Sequence, residues 1–509
     1  MTGPAPKTLL LKNARLVDLK AHKVNPGQII IHNGSIQSVL PASNRVNLKA
    51  TFIDLAGGYV IPGFIDSHTH LMSRGIELQR IDLGPCRSPQ ECLDKMASSS
   101  KDEILFGFNW DESVWKKGRA EDLDRQYLDR ISRTKPVIMR RVCGHRAVCN
   151  TAALNRIGPQ WTIVDRKTGG LYENAALFLN DIFQPTDEML EKGLELAMDE
   201  ALGQGVTSIQ EITIVRNFRM FQRLRNQLRL RIAVYIYADF LEDLINTGVI
   251  SSLGDDVLKF QGIKVFMDGS IGAGTAAMRR PYPGTKSRGT LLVSRPALKR
   301  IIRKAENHGL QLIIHSLGDR ATETVVGAFE GSGYKKNLLR HRIEHLEVVD
   351  DRLLDRIRRL DLIASVQPNF TRRWQRPGGF YQQRLGRSYE TMNPFRHISR
   401  AGIRMIFGSD SMPISPLIGL EGAVNHPFPC GRLEPGEAFY RYTTAPAYAT
   451  FEEGRKGRIA AGQLADLVVL DRDPLKAPSP SLIKIIMVLV GGKITVGREA
   501  GRTRPRRQA

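Results

Sequence analysis

Cysteine is scarce in this 509-residue chain: five residues (Cys86, Cys92, Cys143, Cys149 and Cys430), an odd number, with no C-x-x-C pair among them. That scarcity argues against a disulfide scaffold and against a zinc-ribbon module. Long apolar runs are missing too. Even LIKIIMVLV (Leu482–Val490) carries Lys484, so nothing reaches the ~18–20 apolar residues of a membrane span. The opening MTGPAPKTLLL has too little basic charge and no long apolar stretch for a secretory signal, and the expectation is a soluble, cytoplasmic protein. Absent as well are a G-x-x-x-x-G-K-S/T phosphate loop, a G-x-S-x-G nucleophile elbow and an H-E-x-x-H helix. Acidic side chains are in deficit, 52 against 74 basic, which leaves a formal charge of +22. No nucleic-acid-binding motif accompanies that excess. The arginines of RNFRMFQRLRNQLRLR and DRLLDRIRRLD share their segments with regularly spaced leucines, which reads as outer helices with a solvated basic face. A 42% hydrophobic content excludes disorder for the bulk of the chain.

What is present is a β-rich start, a long alternating middle and a β-rich end. TLLLKNARLVD, GQIIIHNGSIQSVLP and ATFIDLAGGYVIP are strand-like runs with Asn-Gly and Gly-Gly turns, and QLADLVVLDRDP and IKIIMVLVGGKITV repeat the style. Neither end holds enough strands for a stable sheet alone, so one β-sandwich composed from both termini is expected. Between them, apolar runs at Tyr59–His70, Val206–Glu211, Arg231–Tyr237, Ile263–Asp268, Leu312–Leu317, Arg342–Leu346, Ile363–Pro368 and Met405–Ser409 alternate with helical patterns. Repeated βα units of this kind predict an α/β fold, a (β/α)₈ TIM barrel with its site at the C-terminal strand ends. The reading divides the chain into 1–60 (first part of the sandwich), 61–451 (the barrel) and 452–509 (second part and a basic tail). An inserted subdomain over about 73–174, after the first barrel strand, is expected to act as a lid or to bind substrate.

The strongest local signal is PGFIDSHTHL, Pro62–Leu71. Strand alternation places Asp66, His68 and His70 on one face, and two imidazoles at i and i+2 chelate a divalent ion. Three further strand ends carry matching chemistry: His315 in LIIHSLGD, His345 in RIEHLE and Asp410 in FGSDSMP. Each alone reads as a packed histidine or a turn aspartate; together, at successive strand ends, they form a ligand set for zinc, or for manganese or iron. Alternation turns Lys264 of GIKVFMDGS inward with Phe266 and Asp268. A buried lysine needs a partner. Two readings follow: an ion pair with Asp268 or another carboxylate, or addition of carbon dioxide to give an anionic, metal-bridging carbamate.

These motifs resemble the amidohydrolase superfamily. GFNWDESVW, CGHRAVCNTAAL, IKVFMDGSIGAGTAAMRRPY and HSLGDRA are similar to its amidohydrolase-3, YtcJ-like, branch, and the resemblance runs from about Leu9 to Val496. It implies the barrel with its composite sandwich and two divalent ions, zinc before manganese or iron. His68 and His70 then serve one ion and His315 and His345 the other, with Lys264 carboxylated by carbon dioxide as the bridge. Asp410 ligates the first ion and acts as general base toward a bridging hydroxide. The implied reaction is hydrolysis of a non-peptide C–N amide bond, as in N-acyl, N-formyl or cyclic amides. The alternatives are an ester, lactone or carbamate hydrolase, and behind them a deaminase. Asp66 is expected either to hold a metal-binding histidine in its tautomer or to bond a neighbouring backbone amide. His145, Trp110 and Trp115 of the insertion are candidates to line the substrate pocket, the tryptophans having subdomain core as their other reading. Asp319, Arg342, Asn369 and Tyr282 neighbour the strand-end motifs. The implied partner is a small-molecule substrate, with no specific nucleic acid and no membrane, and with room for a homo-oligomer.

Overall fold

The alternating apolar runs are parallel strands in the computed structural model, which describes residues 8–99, 103–116, 123–161, 163–177 and 179–497. We label the barrel strands β1 (Phe64–Thr69), β2 (Val206–Thr213), β3 (Arg231–Tyr237), β4 (Leu258–Phe266), β5 (Gln311–Ser316), β6 (Arg342–His345), β7 (Ile363–Val366) and β8 (Met405–Phe407). They pair in this order as a parallel TIM barrel. Nearly every strand residue is buried, since helices cover the outer face and neighbouring strands fill the inner one. The helix Asp187–Gly203 begins where Thr186 accepts a hydrogen bond from the Met189 amide. In the helix Asp351–Arg359, Leu353, Leu354 and Ile357 face the core, while Arg358 and Arg359 face outward and pair with Asp355. The basic tail, residues 498–509, lies outside the described residues. Among the described residues no helix is long and apolar enough to cross a membrane.

The expected first barrel strand, Tyr59–His70, divides at Gly63. Tyr59–Pro62 pairs antiparallel with Leu467–Leu470 in an eight-stranded sheet that joins strands from both ends of the chain, and only Phe64–Thr69 enters the barrel. Gly63 marks the break because a Cβ there would overlap the Thr207 side chain at 2.1 Å. Strand β4 starts earlier than expected, at Leu258, and stops before Asp268. Between β1 and β2, a six-stranded sheet in the order Val164–Asp165, Gly170–Tyr172, Arg146–Cys149, Val137–Arg141, Leu105–Trp110 and Ile81–Asp82 forms the insertion.

β8 and β1 meet through two bonds beyond the end of β8. The Asp410 amide donates to the His68 carbonyl at 2.7 Å, and the Ser409 amide donates to Asp66 Oδ1 at 2.8 Å. Gly408 permits this approach, for a Cβ on it would lie 2.6 Å from the His68 nitrogen. Overpacking of this kind costs about 1–3 kcal/mol. Gly408→Val is therefore expected to lower the unfolding free energy by that amount, seen as a lower chemical-denaturation midpoint at an unchanged m-value, and a midpoint equal to wild type would show the junction to be slack.

Candidate active site

The six expected ligands line one cleft at the C-terminal mouth of the barrel: His68, His70, Lys264, His315, His345 and Asp410. Donor atoms of His68, His345 and Asp410 lie within 4.8 Å of one another. Asp410 Oδ1 is 3.2 Å from His70 Nε2 and 3.6 Å from His68 Nε2. The rings of His345 stand 4.8 Å from His68 and 4.5 Å from His315.

The partners of each ring set its tautomer. His68 Nδ1 donates to Glu344 Oε2 at 2.5 Å and His70 Nδ1 donates to the Ile212 carbonyl at 3.0 Å, which leaves both Nε2 lone pairs facing Asp410. His315 Nε2 donates to the Gly269 carbonyl at 3.1 Å and so presents Nδ1. Burial holds His68, His315 and His345 well below the usual imidazole range, and they are neutral. Burial raises the Asp410 carboxyl, but the nearby His68 and His70 imidazoles and the Lys264 amine outweigh it and bring it below its ordinary value.

Lys264 is 1% exposed, and its Nζ has no hydrogen-bond partner among the described residues; burial lowers its pKa to about 8. The ion pair with Asp268 does not form. Asp268 is taken by the backbone amides of Ala277, Leu317 and Gly318 at 2.8–3.1 Å. Unpaired buried donors are rare in folded proteins. A cleft of convergent imidazoles, one carboxylate and one orphaned amine has the donor chemistry that divalent transition metals take.

Backbone strain gathers at the same place. His345 and Leu346 have φ of +72° and +50°, Asp410 and Ser411 of +54° and +57°, a region non-glycine residues occupy only when their surroundings enforce it. Asn369 supplies part of that enforcement. Its Nδ2 donates to the carbonyls of Ser409 and Met412 at 2.7 and 2.9 Å and so clamps the turn that carries Asp410. Asp319 and Tyr282 bond backbone groups, the Arg279 amide and the Ala276 carbonyl.

The geometry decides between the two readings of Asp66 and between the two readings of the tryptophans. Asp66 holds no imidazole: its Oδ1 accepts from the Ser409 and His68 amides, so it joins the barrel seam. The carboxylate that orients His68 is Glu344, which sequence reasoning passed over although it sits in the RIEH motif. Trp110 and Trp115 do not line the cleft but stack at 5.7 Å inside the insertion, with Leu83, Cys92 and Met96 in the same cluster. The cause is a bulge. The strand pairing shifts between Gly107 and Trp110, Asn109 takes φ of +69°, and Trp110 leaves the side where Phe106 and Phe108 pack. His145, in contrast, does line the cleft. Its Nδ1 bonds Glu173 Oε2 at 2.8 Å, and this carboxylate overcomes the effect of burial to raise the imidazole pKa to about 9.

Similarity to known proteins agrees with this geometry. The chain is 26% identical to the amidohydrolase YtcJ of Bacillus subtilis over 484 residues, 87% of this chain and 90% of that protein. It is 23% identical to the N-substituted formamide deformylase of Arthrobacter pascens over 543 residues, 94% and 98% of the two chains. A crystal structure of an uncharacterized metal-dependent hydrolase from Pyrococcus furiosus superposes with a TM-score of 0.76 at 27% identity, covering 92% of this chain and all of that one. With the amidohydrolase family model matching residues 51–496, the barrel, its strand-end donors and the sequence agree: this chain belongs to the amidohydrolase family.

Proposed function

We propose that the chain hydrolyses a non-peptide C–N amide bond, in an N-formyl, N-acyl or cyclic amide, with His68, His70, Lys264, His315, His345 and Asp410 holding two divalent ions, zinc first among them. The observation that carries this reading is Lys264, a buried, unpartnered amine in a cleft shared with four imidazoles and a carboxylate. Its lowered pKa leaves part of the population as free amine at neutral pH. That amine attacks the carbon of carbon dioxide, an N–C bond forms, one proton leaves, and a cation becomes a carbamate anion suited to two neighbouring dications. When bound, such ions lower the pKa of water to about 7 and polarise the scissile carbonyl.

The chain's own residues do the rest. Asp410, ionised and within reach of both His68 and His70, takes the proton of the attacking water on its carboxylate and delivers it to the leaving nitrogen. Glu344 fixes the plane and tautomer of His68. His145, tied through Nδ1 to Glu173, reaches over the cleft from the insertion and keeps Nε2 as its free polar atom for orienting a substrate. The deformylase relative acts, by its name, on N-substituted formamides, which supports an amide rather than an ester.

Metal-reconstituted protein is expected to contain stoichiometric transition metal and to cleave at least one member of a panel of N-formyl, N-acyl and cyclic amides. Asp410→Asn should then lose about 10²–10⁴-fold in kcat, and full activity in that variant would remove Asp410 as the proton carrier. With ¹³C-bicarbonate, wild type should show one carbamate carbon resonance that Lys264→Met lacks. Glu344→Gln should weaken metal affinity by about 10–100-fold in a chelator competition; an unchanged affinity would show that His68 needs no such support.

A further inference from the structure

The chain's excess of positive charge is not spread evenly. In the arginine-rich outer segments, Arg216, Arg223, Arg225, Arg229, Arg356 and Arg358 each pair with an aspartate or glutamate. Two stretches at the barrel mouth differ. Residues 278–290, beyond β4, hold Arg279, Arg280, Lys286 and Arg288 and no acidic residue, and residues 372–390, beyond β7, hold five arginines against Glu390 alone. That is over a third of the net charge of +22. Arg280, Lys286, Arg288, Arg372, Arg376 and Arg387 are exposed, and none of them has an ion pair among the described residues.

The two stretches form one surface beside the cleft. Met278 and Tyr282 of the first share a buried cluster with Trp374, Phe380, Tyr381 and Tyr389 of the second. A Cβ on Gly386 would stand 3.8 Å from Pro283. Arg373 carries the charge from this surface into the cleft wall, where Arg74, Arg140 and Arg141 continue it. Each of these four has a carboxylate partner, but Asp111, Glu112 and Glu200 stand outside the wall. Arg373 lies 3.4 Å from Asp111, Arg141 donates to Glu112 at 2.9 Å, and Arg74 donates to Glu200 at 2.7 Å. Glu77, which Arg140 holds, is the one acidic side chain of the wall besides Asp410 among the described residues.

Charge of one sign on a rim and along a cleft focuses the field inward and raises the capture rate of oppositely charged ligands. Every aromatic side chain of the two stretches, Tyr282, Trp374, Phe380, Tyr381 and Tyr389, is buried. The surface therefore offers no ring for stacking on unpaired bases and none for seating in a lipid interface. A small anion on its way to the cleft suits it better. We propose that the substrate carries a compact anionic group such as a carboxylate, and that Arg280, Lys286, Arg288, Arg372, Arg376 and Arg387 steer it to the mouth. These six side chains act through their field alone, which salt screens. As a statement about substrate, the assignment rests on the amide-hydrolase reading of the cleft.

The test uses the full, metal-loaded chain and two amides of nearly equal size, anionic N-formylglycine and neutral N-formylglycinamide. Its variant combines Arg280→Gln, Lys286→Gln, Arg288→Gln, Arg372→Gln, Arg376→Gln and Arg387→Gln. In about 0.02 M salt the ratio of kcat/KM for the anion over the neutral amide should be about tenfold higher in wild type than in the variant, and in about 0.3 M salt that difference should vanish. Absence of a low-salt preference for the anion in both turnover and calorimetric binding, or a preference that the variant retains in full, overturns the assignment. Should the variant not fold, Arg280→Gln, Lys286→Gln and Arg288→Gln together should give half the effect on a logarithmic scale, about threefold. Binding of N-formylglycine that follows the same salt and variant pattern, with neither amide cleaved, supports the steering surface and retires the hydrolase reading. Cleavage of both amides in a ratio indifferent to salt and to the variant does the reverse. Salt-sensitive binding of a DNA duplex that the variant loses, while the two amides stay indifferent to it, assigns the surface to nucleic acid and overturns the proposal.

Discussion

A fully buried guanidinium holds the mouth of this barrel together. Arg342, 0% exposed, donates to Glu344 Oε1 at 2.8 Å, to the Ser67 carbonyl at 3.1 Å and to Gln210 Oε1, and its guanidinium lies 5.0 Å from the Tyr235 ring centroid. Four strands are thereby tied to one side chain: β6 through Arg342 and Glu344, β1 through Ser67, β2 through Gln210 and β3 through Tyr235. The pair is stable in so dry a place because each guanidinium nitrogen and each carboxylate oxygen finds a partner. Glu344 uses its other oxygen to hold His68. The orientation of His68 thus follows from an ion pair at the heart of the barrel.

The ligand cluster is built at the opposite extreme of comfort. Its side chains leave strand ends where the backbone is left-handed, at His345 and Asp410, and its amine has no hydrogen-bond partner among the described residues. Such strain and such an orphaned donor persist only where the rest of the fold is over-determined. Here the Asn369 clamp, the Asp66 seam and the Arg342 network supply that excess. The insertion then closes over the cluster from outside the barrel and contributes His145 without contributing its tryptophans.

Much of this was readable in advance because the site's chemistry sits in local sequence. Imidazoles at i and i+2 on a strand, and single histidines or an aspartate at later strand ends, need only alternation and the βα rhythm to be brought together. What escaped depends on contacts across the molecule. Arg342 and Glu344 share a strand face by alternation, yet nothing local names His68 as the partner of Glu344. Lys259 and Gln261 are polar and hid the start of β4; inside the fold Lys259 donates to the Thr450 carbonyl at 2.7 Å and pairs with Glu452 at 3.1 Å. Trp110 was turned by a bulge that strict period-two reading does not register. Gly63 left the apolar run around it unbroken, and two strands read as one.

That division at Gly63 bears on the order in which the molecule is made. The residues just before the barrel's first strand pair with Leu467–Leu470, near the far end of the chain. During synthesis, domains form from the N-terminal side as the chain emerges, but the strand that leads into His68 and His70 has its sheet neighbour on the far side of the whole barrel sequence. Pairings over so long a separation are slow to form. Until they do, the strand that leads into His68 and His70 lacks one of its sheet neighbours, so the cleft is completed by a late, long-range pairing rather than by local folding.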